Sequence, residues 1–342
     1  MNERQRFRRL MRGQPVDRPP RLEEGVREQV IDRWHREGLD PNKTHAEVFG
    51  LTEHERVGPD IRQRSSYRRR VMALSHREYR KAFDVAPDRF PDDWPQILRR
   101  LEDRAHVACI WAFRGFFQAL GVEDWATLKP VLQATLQDPV DVRARLEMYG
   151  EFCATLLDQT LAVVDPEFIY LGEAISDNKG PLISPAMFEE FVIPVYRRLV
   201  AVAHAHGCRE ILVGTYGNSV RLLPAMRRAG VTMLWISEAA ESPETDYRTI
   251  RRQHGPELGL IGGVPLSLLR ATAPDDLRLQ LETLVTPLLS SGRYIPLAGG
   301  RVREEIPWPV YRVYREVLDE IMASPSNCCG PLGSCPGAHY PS

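Results

Sequence analysis

Residues 168 to 230, FIYLGEAISDNKGPLISPAMFEEFVIPVYRRLVAVAHAHGCREILVGTYGNSVRLLPAMRRAG, constrain the fold more than any other stretch, because they read as strand, loop, long helix, strand, loop and helix in one run. Phe168 to Leu171 is apolar on both alternations and suits a strand buried on both faces. It ends in Gly172 and Glu173. Ser184 stands where a helix N-cap belongs and Pro185 at the first helical position, followed by Met187, Phe188, Phe191, Val192, Val195, Leu199 and Val202 at helical spacing. Gly207 is the stop, and Pro194 is expected to bend the helix. Glu210 to Val213 opens the next strand, with Thr215, Tyr216, Gly217 and Asn218 crowding its C-terminal end. A chain that alternates this way builds a parallel α/β layer, and ligands bind such layers beyond the C-terminal ends of the strands.

The alternation continues on both sides. HVACIWAF (106–113) reads as an earlier strand, while VTMLWISE, LGLIGGV and RYIPLAGG read as later ones. These end in Glu238, in Gly262 and Gly263, and in Gly299 and Gly300. Amphipathic helices follow at APDDLRLQLETLVTPLLSSG and IPWPVYRVYREVLDEIM, and residues 128 to 161 read as helix broken near Asp138-Pro139. Short apolar strands alternating with helices predict a parallel α/β barrel, in which residues 1–323 form one domain. The tail from 324 to 342, SPSNCCGPLGSCPGAHYPS, is expected to be disordered. A length of 342 residues admits one large α/β barrel or two ordinary domains, and the single barrel is the expectation.

A formal net charge of −1 excludes a generally nucleic-acid-binding or membrane-adhering surface. No segment approaches transmembrane length, and the start MNERQRFRRLMRG is charged where a signal peptide is apolar. A cytoplasmic protein is expected. Cys109, Cys153 and Cys208 stand singly while Cys328, Cys329 and Cys335 fall in the tail, which is no disulfide framework.

The candidate functional residues are polar groups at strand ends. Glu23 and Glu24 precede Gly25, either as a solvated strand end or as carboxylates at the mouth of the first barrel strand. Arg56 to Lys81 carries nine Lys and Arg against Asp60 and Glu78, which reads as a solvated face or as a wall that recognises anions. Arg114, just past a strand, either points into the mouth or makes a surface ion pair. Asn218 either binds a ligand or caps the helix after it. No histidines show metal spacing, and His204 and His206, two apart on a helix end, make a poor ligand pair. Cys328, Cys329, Cys335 and His339 hold enough donors for zinc but at no usual spacing.

Several of these pieces together resemble the uroporphyrinogen decarboxylase superfamily from about Arg18 to Met322. They are DRPPRLEEG with RWHREGL, GPLISPAMFEEFVIPVYRRLV with HAHG, LVGTYGNS with LLPAMRRAGV, LIGGV, and GRYIPLAGG with VREEIPWPVY. The resemblance implies a (β/α)8 TIM barrel, and the superfamily includes both decarboxylases and corrinoid-linked methyltransferases. The haem-pathway decarboxylase has an Arg-Gln-Ala-Gly-Arg signature where this chain reads RLEEG, so that enzyme's tetrapyrrole-binding residues do not carry over. The methyltransferases hold zinc with His-X-Cys on the strand that here reads VGTYG, where Gly214 and Tyr216 occupy the ligand positions. Many uncharacterised relatives end the late strand in Asp-His, and this chain has Gly299-Gly300. It looks closest to that uncharacterised group.

The resemblance therefore implies an enzyme with decarboxylase-type chemistry on an anionic, carboxylate-bearing small molecule, tetrapyrroles among them, with no metal and no cofactor. Cationic groups would fix carboxylates and an acid would protonate carbon. Glu173, Glu238 and Tyr216 are the expected catalytic residues, with Glu23, Arg114, Asp177, Asn218, Gly263 and Arg301 expected to bind substrate. Methyl transfer is the alternative, with a corrinoid protein as partner. A third reading is a barrel that has lost catalysis and binds an anion or serves as a partner subunit. A homodimer is compatible with each.

Overall fold

The computed structural model of the chain describes residues 1–52, 54–68, 71–239, 241–271 and 274–324. Seven segments form strands among them: β1 (Glu55–Val57), β2 (Ala108–Phe113), β3 (Phe168–Glu173), β4 (Ile211–Tyr216), β5 (Met233–Ser237), β6 (Gly259–Val264) and β7 (Tyr294–Ala298). Six match the apolar runs of the sequence. β1 does not, because only Val57 of its three residues is buried and the arginine-rich composition around it masks the signal. Helices separate consecutive strands, and the arrangement is a TIM-barrel-like α/β fold.

The described residues gather into two compact units. The first takes Met1–His54, Ala105–Val107 and the chain from Ser237 onward; the second takes Glu55–Arg104 and Ala108–Ile236. In the second unit β1 to β5 follow one another in sequence order, with β1–β2, β2–β3 and β3–β4 parallel. In the first, β6 and β7 pair in parallel. Parallel strands need both faces covered, and every residue of β3 is buried.

Local chemistry sets the boundaries between elements. Ser184 caps the helix Pro185–Phe191 by accepting from the Met187 N–H at 3.2 Å. The bend expected at Pro194 is a break at Val192, after which Ile193–Ala205 starts a new helix with Pro194 in its first turn, where a missing N–H costs nothing. Likewise the long helical region divides at Asp138 into Trp125–Gln137 and Pro139–Leu161. The segment expected to open the barrel forms no named strand. Val26 makes one parallel bridge to Val302, and Val302 N donates to Gly25 O at 3.1 Å. Pro19 and Pro20 lack the N–H groups that a longer ladder needs.

No helix among the described residues is long and apolar enough to cross a membrane. Beyond Ser324 the cysteine-rich tail lies outside the described residues.

Candidate active site

Alternation along β3 and β4 decides where their polar ends point. Tyr170 and Gly172 share one face of β3, and Gly172 pairs with Gly214 on β4. Glu173 and Thr215 therefore point to the opposite face. There the Glu173 carboxylate accepts from Phe116 N at 2.9 Å and from the Tyr196 hydroxyl at 3.0 Å, and the residue is 1% exposed. Burial pushes its pKa up to about 7, against the two hydrogen bonds. Gly115 permits the close approach, since a Cβ there would lie 2.9 Å from Glu173 Oε1. Both oxygens of the expected acid are thus engaged between the sheet and its covering helices.

The loops beyond β3 and β4 are held by their own groups and by each other. Asp177 Oδ1 accepts from Lys179 N at 2.7 Å and Gly180 N at 3.0 Å, while the Asp177 carbonyl accepts from Asn218 N at 2.8 Å. Asn218 Oδ1 accepts from Val220 N at 3.4 Å, in the helical turn that follows. Tyr216 is 46% exposed. Asp177 and Asn218 therefore each shape their own turn, and the bond between them joins the loop after β3 to the loop after β4.

The basic stretch is mostly neutralised by pairing. Arg62 holds Asp60 through two bonds of 2.8 and 3.0 Å, Arg64 holds Asp84 and Asp88, and Arg68 holds Glu123. These arginines line a cavity of about 520 Å³ with Arg89, Arg114 and Gln118. Arg114 differs from the rest. Its Nε donates to Gln118 Oε1 at 3.0 Å and its guanidinium carbon lies 4.9 Å from the centre of the Trp111 ring, with no ion-pair partner among the described residues. Burial lowers its pKa, but a guanidinium remains charged at neutral pH.

In the first unit, adjacent Glu23 and Glu24 go opposite ways. Glu23 accepts from Arg315 Nη1 at 2.7 Å, the Tyr314 hydroxyl at 3.0 Å and Ala298 N at 3.3 Å, which ties it to the helix Trp308–Ala323. Burial opposes the Arg315 charge, yet Glu23 pushes its pKa up and keeps it protonated. Glu24 is half-buried and accepts from the Ser237 hydroxyl at 2.8 Å, at the end of β5. No cation lies within ion-pair distance of it among the described residues. Burial raises its pKa, the Ser237 hydrogen bond works against this, and the nearby Glu238 charge adds to it. Arg301 is exposed and unpaired among the described residues, close enough that its charge favours ionised Glu24. Glu238 forms an ion pair with Arg303. Gly263, at φ 88°, backs onto Tyr247, whose ring lies 2.7 Å from where a Cβ would sit. That contact gives Gly263 a packing role.

The structure thus brings Glu24, Ser237, Glu238, Arg301 and Arg303 together at strand ends of the first unit. Ser237, Arg303 and Trp111 were not expected from the sequence. The doublet Glu23-Glu24 was the usable signal, since neighbours in an extended segment face opposite ways and one of the two must leave the helix side.

The donors do not fit a zinc ion on β4. A Cβ on residue 214 would lie 2.0 Å from the Tyr170 hydroxyl, so no ligand side chain fits there. Among the described residues no group of three His, Cys, Asp or Glu could hold a metal. Burial pushes the Cys109 and Cys208 thiols up to about 12, far from the thiolate that accepts methyl groups or metals.

A family model described as uroporphyrinogen decarboxylase (URO-D) matches residues 125–307. Among solved structures, a methyltransferase from Methanosarcina mazei is similar with a TM-score of 0.62 at 14% identity, covering 94% of this chain and 99% of its own. At that identity the likeness is one of fold. A putative vitamin-B12 independent methionine synthase from Listeria monocytogenes aligns over 90% of this chain and 97% of its own at 11% identity, with a TM-score of 0.38. No sequence among the curated proteins matches the chain.

Proposed function

Because the chain belongs to the uroporphyrinogen decarboxylase family, we propose that it is an enzyme that removes carbon dioxide from a carboxylate-bearing small molecule, with Glu24 as the acid that protonates the remaining carbon. The observation that carries this reading is the state of Glu24: half-buried, bonded to a neutral hydroxyl, and without a cation at ion-pair distance among the described residues. Such a carboxyl keeps its proton more readily than an exposed one. Arg301 supplies an unpaired guanidinium for a substrate carboxylate, and Ser237 orients the acid. The bond to the carboxylate carbon breaks, carbon dioxide leaves, and the electron pair left on the substrate carbon takes the Glu24 proton. Solvent then reprotonates Glu24. Residues 20–26, which reach Val302 through the bridge at Val26, serve in this reading as the remaining strand of an eight-stranded barrel.

Methyl transfer is the second reading, supported by the family and by the fold likeness to the Methanosarcina mazei methyltransferase. The filled space over Gly214 weighs against the zinc-dependent form of that chemistry. The two readings separate in one assay, in which the protein is incubated in D2O with a panel of polycarboxylic acids that includes uroporphyrinogen. Release of carbon dioxide with one solvent deuteron on the product carbon supports the proposal. No release from any acid, with methyl transfer from methylcobalamin instead, overturns it.

A further inference from the structure

Arg56 and Arg114 approach the same indole ring from different parts of the second unit. Arg56, on β1, holds its guanidinium carbon 4.7 Å from the Trp111 ring centre and 5.5 Å from that of Tyr170. Arg114, just past β2, lies 4.9 Å from the same Trp111 ring. Neither has a carboxylate partner among the described residues, although Arg62, Arg64, Arg68 and Arg89 nearby are all ion-paired. The Arg56 and Arg62 charges both repel that of Arg114, and Asp60 opposes them from outside ion-pair distance. Two guanidiniums without carboxylate partners on one ring carry their mutual repulsion as a cost. A ligand with two negative charges would remove that cost. Gln118 occupies the Nε of Arg114 and leaves its Nη edge free for an end-on contact. Trp111 and Arg114 line an adjoining cavity of about 490 Å³ together with Asp60, Asp88 and Asp92, of which Asp60 and Asp88 are held by Arg62 and Arg64.

We propose that Arg56 and Arg114, held on Trp111, form a binding site for a small dianion, a phosphate ester or a dicarboxylate. Both sources present paired anionic oxygens, the chemistry to which guanidinium groups are matched. The site takes part in no bond breaking, so it is tested by binding alone and its failure leaves the proton-transfer reading of Glu24 untouched.

The test is isothermal titration of the full-length protein at low salt with inorganic phosphate, succinate and acetate. One dianion at least should bind one to one and at least tenfold more tightly than acetate, with affinity falling as salt is added. Preference for phosphate assigns a phosphate ester, and preference for succinate a dicarboxylate. Arg114→Gln and Arg56→Gln should each weaken binding at least tenfold, whereas Glu24→Gln should leave it unchanged. Arg56 is exposed, so its variant reports on binding even where Arg114→Gln fails to fold. Binding that survives the Arg56→Gln change, equal affinity for acetate, or no binding by either dianion overturns the proposal.

Discussion

The Tyr170 hydroxyl lies 2.0 Å from the point that a Cβ on residue 214 would occupy, so the ring of β3 fills the space over Gly214 of β4. Gly214→Ala should therefore destabilise the protein by about 1–3 kcal/mol, the usual cost of overpacking. In a Tyr170→Ala background the same change should cost close to nothing. Urea denaturation of the four proteins in this cycle checks the coupling, and additive losses would contradict it.

Glu173 makes stability depend on pH through its buried carboxyl, whose pKa rises from 4.5 to about 7. The folded state binds the proton more tightly than the unfolded one, so the contribution is complete below pH 4.5 and lost as pH rises through 7. Its full size is about 3 kcal/mol for a shift from 4.5 to about 7. Glu173→Gln keeps an acceptor for Phe116 N and removes the titration. The variant should gain on the wild type between pH 5 and pH 8 in urea denaturation, and parallel pH profiles would refute this account.

Glu23 and Glu24 should fail in opposite ways. Removing Glu23 leaves Arg315, 0% exposed, with Asp319 as its remaining ion-pair partner and the Tyr314 hydroxyl without its acceptor, and Glu23→Ala should cost about 3 kcal/mol. Glu24→Gln loses only a hydrogen bond from a hydroxyl and should change stability by about 1 kcal/mol or less. Melting temperatures of both variants check the contrast.

The strand–helix alternation was legible because burial writes itself as apolar runs, and six of the seven described strands lie on such runs. β1 was not legible, since three residues flanked by arginines leave no pattern. Among site residues, sequence can place a carboxylate at a strand end but cannot give the face it takes. Glu173 falls on the side of Tyr196, and Glu23 on the side of Arg315, because each lies one step out of phase with the opposite face. Charge runs are opaque for a related reason. The partners of Arg64 and Arg68 lie 20 and 55 residues away, so only the fold shows that those arginines are neutralised while Arg56 and Arg114 are not.

The proposed acid also predicts a pH profile. Glu24 must carry its proton to act, and burial raises its pKa, so kcat should be highest at low pH and fall as pH rises through that raised value. A rate that increases with pH over the same range would mark Glu24 as a base or as a bystander.

The most direct test of the central claim is the turnover of Glu24→Gln on whichever carboxylic acid the wild type decarboxylates. The account predicts a fall in kcat of at least about a hundredfold with KM little changed, because a general acid contributes on the order of 10²–10⁴ and the anion contacts remain. A variant that keeps wild-type kcat would contradict the assignment of Glu24, and with it the mechanism proposed for this site.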